Sequence, residues 1–131
     1  MDNPQTTPLV ARPTPVTLFR FSAITWNPHR IHYDALYAAT EGYPGPLVHS
    51  HLHGAFLLEA ALRWAPADAR LAEFSWQNRA PAQPGERLTV TGEPVAGDPG
   101  ALEWVLRETK DDGTVCATGR AVFTIGEGKG E

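Results

Sequence analysis

The segment from about residue 50 to residue 65 constrains the fold most, because it predicts a helix that is apolar on nearly every face. Its apolar residues are Leu52, Ala55, Phe56, Leu57, Leu58, Ala60, Ala61 and Leu62. A helix with no consistent polar side has to be buried, and Pro66 ends it because proline cannot continue a helix. In a chain of 131 residues, about one domain, this segment is predicted to be the buried central helix.

Shorter patterns flank this helix and predict the remaining elements. Residues 16–24 are rich in β-branched and aromatic side chains, which predicts a strand. Residues 34–42 predict a short helix, capped by Asp34 and ended by Gly42. Downstream, alternating residues predict four strands in a meander, around residues 72–76, 88–91, 102–106 and 115–125, with a hairpin turn at 111–113.

These elements predict an α+β fold in which a curved antiparallel sheet wraps one long buried helix. The prolines at 4, 8, 13 and 15 predict an extended or disordered lead-in over residues 1–15. The domain itself is expected over residues 16–125, followed by a frayed tail at 126–131. Because such a sheet covers its helix on one face only, a second copy is expected to complete it, and a homodimer is predicted.

Composition and charge exclude several classes of partner. A formal net charge of −4 disfavours nucleic acid or anionic lipid as the main partner, and no apolar run approaches the ~20 residues that span a membrane. The first residues lack the pattern of a signal or transit peptide. Cys116 is the only cysteine, so no internal disulfide forms and a core thiol is expected. A cytosolic location is therefore predicted.

All five histidines lie between His29 and His53, which indicates a site and not scattered surface chemistry. They form two clusters, Asn27-Pro-His29-Arg-Ile-His32-Tyr-Asp34 and His49-Ser-His51-Leu-His53. Histidine is the side chain most easily tuned to exchange protons or bind metal near neutral pH.

The stretch that carries these clusters resembles the MaoC-like branch of the hot-dog fold, which comprises (R)-specific enoyl-thioester hydratases and 3-hydroxyacyl-thioester dehydratases. In that family a motif S-G-D-x-N-P-L-H-x-D precedes an H-G pair that opens the central helix. Residues 25–34 fit the motif without a gap, and His49-Ser50 falls at the H-G position. Residues 78–88 are similar to the family's strand–turn–strand segment, so the resemblance covers most of residues 16–125.

Three positions depart from the family pattern. Asn27 replaces the catalytic aspartate, His29 replaces the asparagine and Ser50 replaces the glycine. The form N-x-H-R-I-H-Y-D looks like a sub-branch that includes mesaconyl-CoA hydratase-like proteins and mitochondrial-type dehydratases. The departures are therefore compatible with activity.

The resemblance implies reversible hydration of a 2-enoyl thioester, or dehydration of a 3-hydroxyacyl thioester, carried by CoA or an acyl-carrier protein. His32 is expected to transfer the proton, Asn27 to position the water, and His29 to assist. The backbone amide of Ser50 is expected to bind the thioester oxygen, and the adjacent His49 is a second candidate for substrate binding. No cofactor is implied, because the thioester itself activates the substrate.

Several alternatives stay open at this point. Each histidine has a structural interpretation, Asn27 suits a turn and Asp34 suits a helix cap. No HExxH pattern or matching carboxylate accompanies His49 and His53, so no metal is predicted. Glu59 on the apolar helix suggests a hot-dog thioesterase or, with Arg63 four residues on, an ion pair. A non-catalytic acyl-binding subunit, or a heterodimer with a second hot-dog chain, is a further possibility.

Overall fold

Five antiparallel strands, three α-helices and a 3-10 turn make up most of residues 6–126, the part of the chain that the computed structural model describes. Residues 1–5 of the predicted lead-in and residues 127–131 of the predicted tail lie outside the described residues. The elements in chain order are β1 (Leu9–Ala11), α1 (Pro15–Thr25), a 3-10 turn (Arg30–His32), α2 (Ala35–Thr40), α3 (Ser50–Trp64), β2 (Arg70–Asn78), β3 (Leu88–Val95), β4 (Ala101–Lys110) and β5 (Val115–Thr124).

The strands form one sheet in the order β1-β3-β4-β5-β2. β3, β4 and β5 make the predicted meander, but β2 pairs with β5 and not with β3, so the expected four-strand meander is wrong at that point. The reason is the connection after β2. Ala82 accepts a hydrogen bond from the Val48 amide, and the Gly85 amide donates to Pro13, which ties this connection to the N-terminal half before β3 begins.

Helix α3 is the buried central helix that the sequence predicts. Its inner residues, including Leu57 and Trp64, share one core with Trp104 and Phe123 of the sheet. Glycine permits a close approach here, because a Cβ at Gly54 would lie 2.6 Å from the ring of Trp76. The outer side of α3 is exposed, so the helix is packed on one side and not all round.

Helix α1 occupies residues 15–25, where a strand was predicted, and that prediction is wrong. Thr14 caps the helix and shares a capping box with Thr17, and Pro15 occupies the first turn. These start signals favour a helix over the β-branched residues that follow. The helix buries Leu18 and leaves large apolar side chains on its outer face, which contribute to an exposed apolar set: Val16, Phe19, Ile24, Trp26, Tyr33 and Leu36.

The expected lead-in contains a short strand, because Leu9–Ala11 pair with residues 88–90 at one edge of the sheet. The other short elements follow the predictions. Asp34 caps α2 by accepting a hydrogen bond from the Tyr37 amide, and Gly42 has φ +90° just beyond its end. Within residues 6–126, no helix is both long and apolar enough to cross a membrane.

Candidate active site

His32 ends the 3-10 turn that follows α1, and its ring is held by one edge. Its Nδ1–H donates to the carbonyl of Leu47 over 2.9 Å. A carbonyl can only accept, so the neutral ring carries its hydrogen on Nδ1 and leaves Nε2 with a free lone pair. Burial lowers the pKa of His32, against the opposing effect of the Leu47 bond, and the nearby His29 lowers it further. At neutral pH this ring is therefore a base at Nε2.

His29 has the complementary arrangement. It caps the same turn, and its Nδ1 accepts a hydrogen bond of 3.0 Å from the Ile31 amide. The neutral ring therefore carries its hydrogen on Nε2 and can donate from there. The centroids of the His29 and His32 rings lie 6.1 Å apart. The two histidines thus present one donor and one acceptor side by side.

Asn27 lies at the turn between α1 and these histidines. Its Oδ1 accepts from the backbone amide of His29 over 3.3 Å, and its backbone amide donates to the carbonyl of Ser22 over 2.9 Å. The chain reaches this position through Trp26, which has a left-handed φ of 55°. An open depression of about 410 Å³ is lined by Asn27, Pro28, His29, Arg30 and Tyr37. Asn27 and His29 therefore face the same space.

His49 precedes the first residue of α3 and is 1% exposed. Its ring stacks on that of His32, with centroids 3.7 Å apart and planes 13° from parallel. The Nε2 atom lies 2.7 Å from the hydroxyl of Ser22, whereas the buried Nδ1 atom has no partner among the described residues. Burial, with smaller contributions from His32 and His53, lowers the pKa of His49 to about 4.

Ser50 is the first residue of α3. The amides of Leu52 and His53 both donate to the His49 carbonyl, so those of Ser50 and His51 precede the helical hydrogen bonds. Such amides lie at the positive end of the helix dipole. The only non-glycine residue with positive φ in the described part of the chain is Trp26, so serine replaces the family's glycine without backbone strain. The Ser50 hydroxyl accepts from the side chain of Asn78.

A family model described as hydroxyacyl-thioester dehydratase type 2 matches residues 2–84, more than half of the chain. The chain belongs to this family. The predicted MaoC-like resemblance is thereby confirmed, and the site described above lies within the matched residues.

Two curated relatives match shorter segments of this chain. The mesaconyl-C(4)-CoA hydratase of Chloroflexus aurantiacus is 47% identical over 70 residues, which are 53% of this chain and 24% of the relative. The mitochondrial hydroxyacyl-thioester dehydratase type 2 of Schizosaccharomyces pombe is 47% identical over 45 residues, 30% of this chain and 15% of the relative. The chain therefore spans only a small part of these relatives.

Among solved structures, the unliganded R-hydratase PhaJ1 of Pseudomonas aeruginosa superposes with a TM-score of 0.86. It shares 22% identity, and the match covers 97% of this chain and 83% of that one. This likeness confirms the hot-dog fold that was predicted for this chain.

Two polar residues near the site, Glu108 and Ser22, were not predicted from the sequence. Glu108 is fully buried on β4, where its Oε1 accepts a hydrogen bond from Nδ1 of His53. The alternation of Trp104, Leu106 and Glu108 on the inner face of β4 is a signal that could have found it. Ser22 had no such signal, because only tertiary packing brings it to His49.

The other residues that the sequence offered as candidates for chemistry have structural roles in the described part of the chain. Asp34 caps α2 and pairs with Arg30 over 2.8 Å. Glu59 is half-exposed and pairs with Arg63 over 2.6 Å, nine residues beyond Ser50, which is roughly 14 Å along a helix. Burial raises the pKa of the Cys116 thiol to about 11, as expected of a core thiol. No group of three or more His, Cys, Asp or Glu within residues 6–126 is placed to hold a metal ion.

Proposed function

We propose that this chain catalyses the reversible hydration of a 2-enoyl thioester to the (R)-3-hydroxyacyl thioester. One observation carries the proposal: the Leu47 carbonyl fixes His32 as a base at Nε2, and its ring lies 6.1 Å from that of His29, which lines an open depression together with Asn27. Membership in the type 2 dehydratase family supports the same reaction class.

In the proposed reaction, Nε2 of His32 takes a proton from water as the water oxygen attacks the β carbon. Electron density moves from the double bond toward the thioester oxygen, which forms an enolate. The His32 imidazolium then returns a proton to the α carbon, so that the elements of water are added and the ring is neutral again. His29, whose Nε2–H is free to donate, assists by holding the water or the substrate.

Asn27 positions the water in this scheme. Its amide cannot take a proton at neutral pH, but Oδ1 has two lone pairs, and the His29 amide uses one of them. The other lone pair is free to accept from water. The amide of Ser50 stabilises the enolate oxygen, because it lies at the positive end of α3 without a helical acceptor of its own.

The proposed substrates are acyl-CoA or acyl-carrier-protein thioesters, and the proposed assembly is a homodimer. The outer edge of β2 has no partner strand among the described residues, which supports pairing with a second copy. The cytosolic location stays a prediction.

Loss of the enoyl absorbance of crotonyl-CoA and longer enoyl-CoAs tests the reaction. We expect His32→Ala to lower kcat roughly 10²- to 10⁴-fold, because it removes the base. The active form of His32 is neutral, and its pKa lies below the ordinary histidine value of 6.5. The wild-type rate should therefore fall only when the pH drops below 6.5.

Glu59→Gln is the matched control, since Glu59 is exposed and paired with Arg63. Unchanged hydration in this variant agrees with the proposal, whereas thioester hydrolysis that disappears with Glu59 would identify a thioesterase. A wild type with no activity on any enoyl thioester would refute the proposal and favour a non-catalytic acyl-binding subunit.

A further inference from the structure

His49 is not a reacting group in the mechanism above, yet its ring lies closer to the ring of His32 than that of His29 does. Its ring lies parallel to the His32 ring at 3.7 Å. It is fixed from two other directions, since Nε2 meets the Ser22 hydroxyl at 2.7 Å and the Phe21 ring packs edge-on with centroids 4.9 Å apart. His49 therefore connects α1, the start of α3 and the reacting histidine.

The surroundings of His49 favour the uncharged ring. The groups that face it are Ser22 and Phe21 from α1, His32 from the 3-10 turn and His53 from α3. No carboxylate in the described part of the chain hydrogen-bonds to it, and the buried carboxylate of Glu108 is bonded to His53. A buried imidazolium without a counter-charge is unfavourable, so His49 remains neutral while His32 changes its charge.

We propose that Ser22 and His49 are positioning residues for His32: the Ser22 hydroxyl fixes a neutral His49 ring, and the face of that ring supports the His32 imidazolium formed during turnover. Leu47 holds the same ring by its edge. The inference rests on the proposed function for its kinetic consequences, but the ring geometry can be tested without any activity.

The favourable interaction is that between a cation and the face of an aromatic ring. It strengthens when His32 accepts the water proton, so it acts on the reaction step and not on substrate binding. A charged His49 would instead repel the His32 imidazolium across a 3.7 Å stack. The arrangement therefore requires both the ring face and the neutrality of His49.

Two substitutions of His49 separate these requirements. His49→Phe keeps a neutral aromatic face, whereas His49→Leu removes the face and keeps an apolar side chain. We expect His49→Leu to move the acid limb of the kcat profile to lower pH by roughly 0.5–1 unit, with KM little changed, and His49→Phe to move it less. In NMR spectra, the ring-current shift of the His32 protons should persist in His49→Phe and vanish in His49→Leu.

Ser22 supplies a second test with a smaller change in volume. Ser22→Ala should lower kcat about tenfold through loss of one hydrogen bond and alter the His32 ring-current shift, while Ser22→Thr, which keeps the hydroxyl, should restore both. Thermal unfolding of each variant confirms that it is folded.

The proposal is overturned if folded Ser22→Ala and His49→Leu keep both the wild-type acid limb and the wild-type His32 shifts. If the wild type proves inactive, the proposed function fails separately, and the NMR titration of His32 alone decides the positioning role. In that titration, a His32 pKa that is unchanged between His49→Leu and the wild type contradicts the proposal.

Discussion

Asn27 illustrates, at the scale of one residue, how an amide can occupy a position where the family motif has a carboxylate. The side-chain oxygen of Asn27 accepts a hydrogen bond from the backbone amide of His29 and, as we propose, a second one from the attacking water. The first contact orders the turn, and the second orders the substrate. Neither of them requires the side chain to accept a proton.

Removing the Asn27 amide should therefore impair the reaction without abolishing it. We expect Asn27→Ala to lower kcat about 10- to 100-fold, since it frees the turn and leaves the water unheld. Asn27→Asp keeps an oxygen acceptor at the same place and should retain more activity than Asn27→Ala. Hydration of crotonyl-CoA measures both, and equal kcat in Asn27→Ala and the wild type would contradict the assigned role.

The buried His49 ring also predicts how the protein responds to acid. Its pKa is about 4 in the folded protein and about 6.5 in an unfolded chain. Between these pH values the unfolded state binds a proton that the folded state does not. The contribution of His49 to the free energy of unfolding is therefore fully present above pH 6.5 and decreases as the pH falls toward 4. The full loss amounts to roughly 3 kcal/mol, which urea unfolding at a series of pH values would measure.

His49→Phe should remove most of this acid sensitivity, because no proton can then be taken up at that position. His51→Gln is the matched control, since His51 is exposed on the first turn of the same helix. An unfolding free energy that falls equally steeply in wild type and His49→Phe would show that the sensitivity arises elsewhere.

The candidate site was largely predictable at the residue scale, because His32, His29 and Asn27 occupy one short motif whose spacing sequence alone reveals. The Ser22–His49 contact and the His53–Glu108 bond were not, since each joins residues far apart in the chain. Contacts of this kind depend on which elements pack together, and the motif carries no information about that.

At the scale of elements, local signals of different kinds competed over residues 15–25. The β-branched and aromatic side chains predicted a strand, whereas Thr14, Pro15 and Thr17 form a helix start. The start signals prevailed because they satisfy backbone donors that the first turn leaves free. In α3 the apolar pattern, Pro66 and the helix length all agreed, and the prediction was confirmed.

Gly54 shows that contact between elements can outweigh helix propensity. Alanine favours a helix over glycine by up to about 1 kcal/mol, but a Cβ at this position would meet the Trp76 ring at 2.6 Å. We expect Gly54→Ala to lower the free energy of unfolding by about 1–3 kcal/mol, because α3 and β2 must separate.

The neighbouring Ala55 is the control for this prediction, since it is exposed on the same helix. Ala55→Gly should cost about 1 kcal/mol through propensity alone. If Gly54→Ala proves as stable as the wild type, Trp76 moves aside without penalty and the close packing is not needed.

At the scale of the whole molecule, the open edge of β2 predicts the assembly. β2 is nine residues long and pairs on one side only, with β5. An unpaired edge of this length favours addition of another strand, and a second copy offers the same edge in the antiparallel direction. Analytical ultracentrifugation should therefore report twice the chain mass of 14.2 kDa.

Ser75→Glu should weaken this dimer, because Ser75 lies near the middle of β2 and its copy would bring a like charge close by. Thr91→Glu is the control, as Thr91 is exposed on β3 opposite Arg107. A wild type that sediments at 14.2 kDa would contradict the predicted homodimer.

The strand order also affects how the domain forms during synthesis. β2 leaves the ribosome directly after α3, but its strand partner, β5, is the last element of the described chain to emerge. Until then Phe74 and Trp76 of β2 have no neighbouring strand, and the core face of α3 lacks the residues that β5 contributes, Ala117, Ala121 and Phe123. Part of the apolar core face of α3 therefore stays exposed until β5 has been made, and a surface of this kind is one that holding chaperones bind.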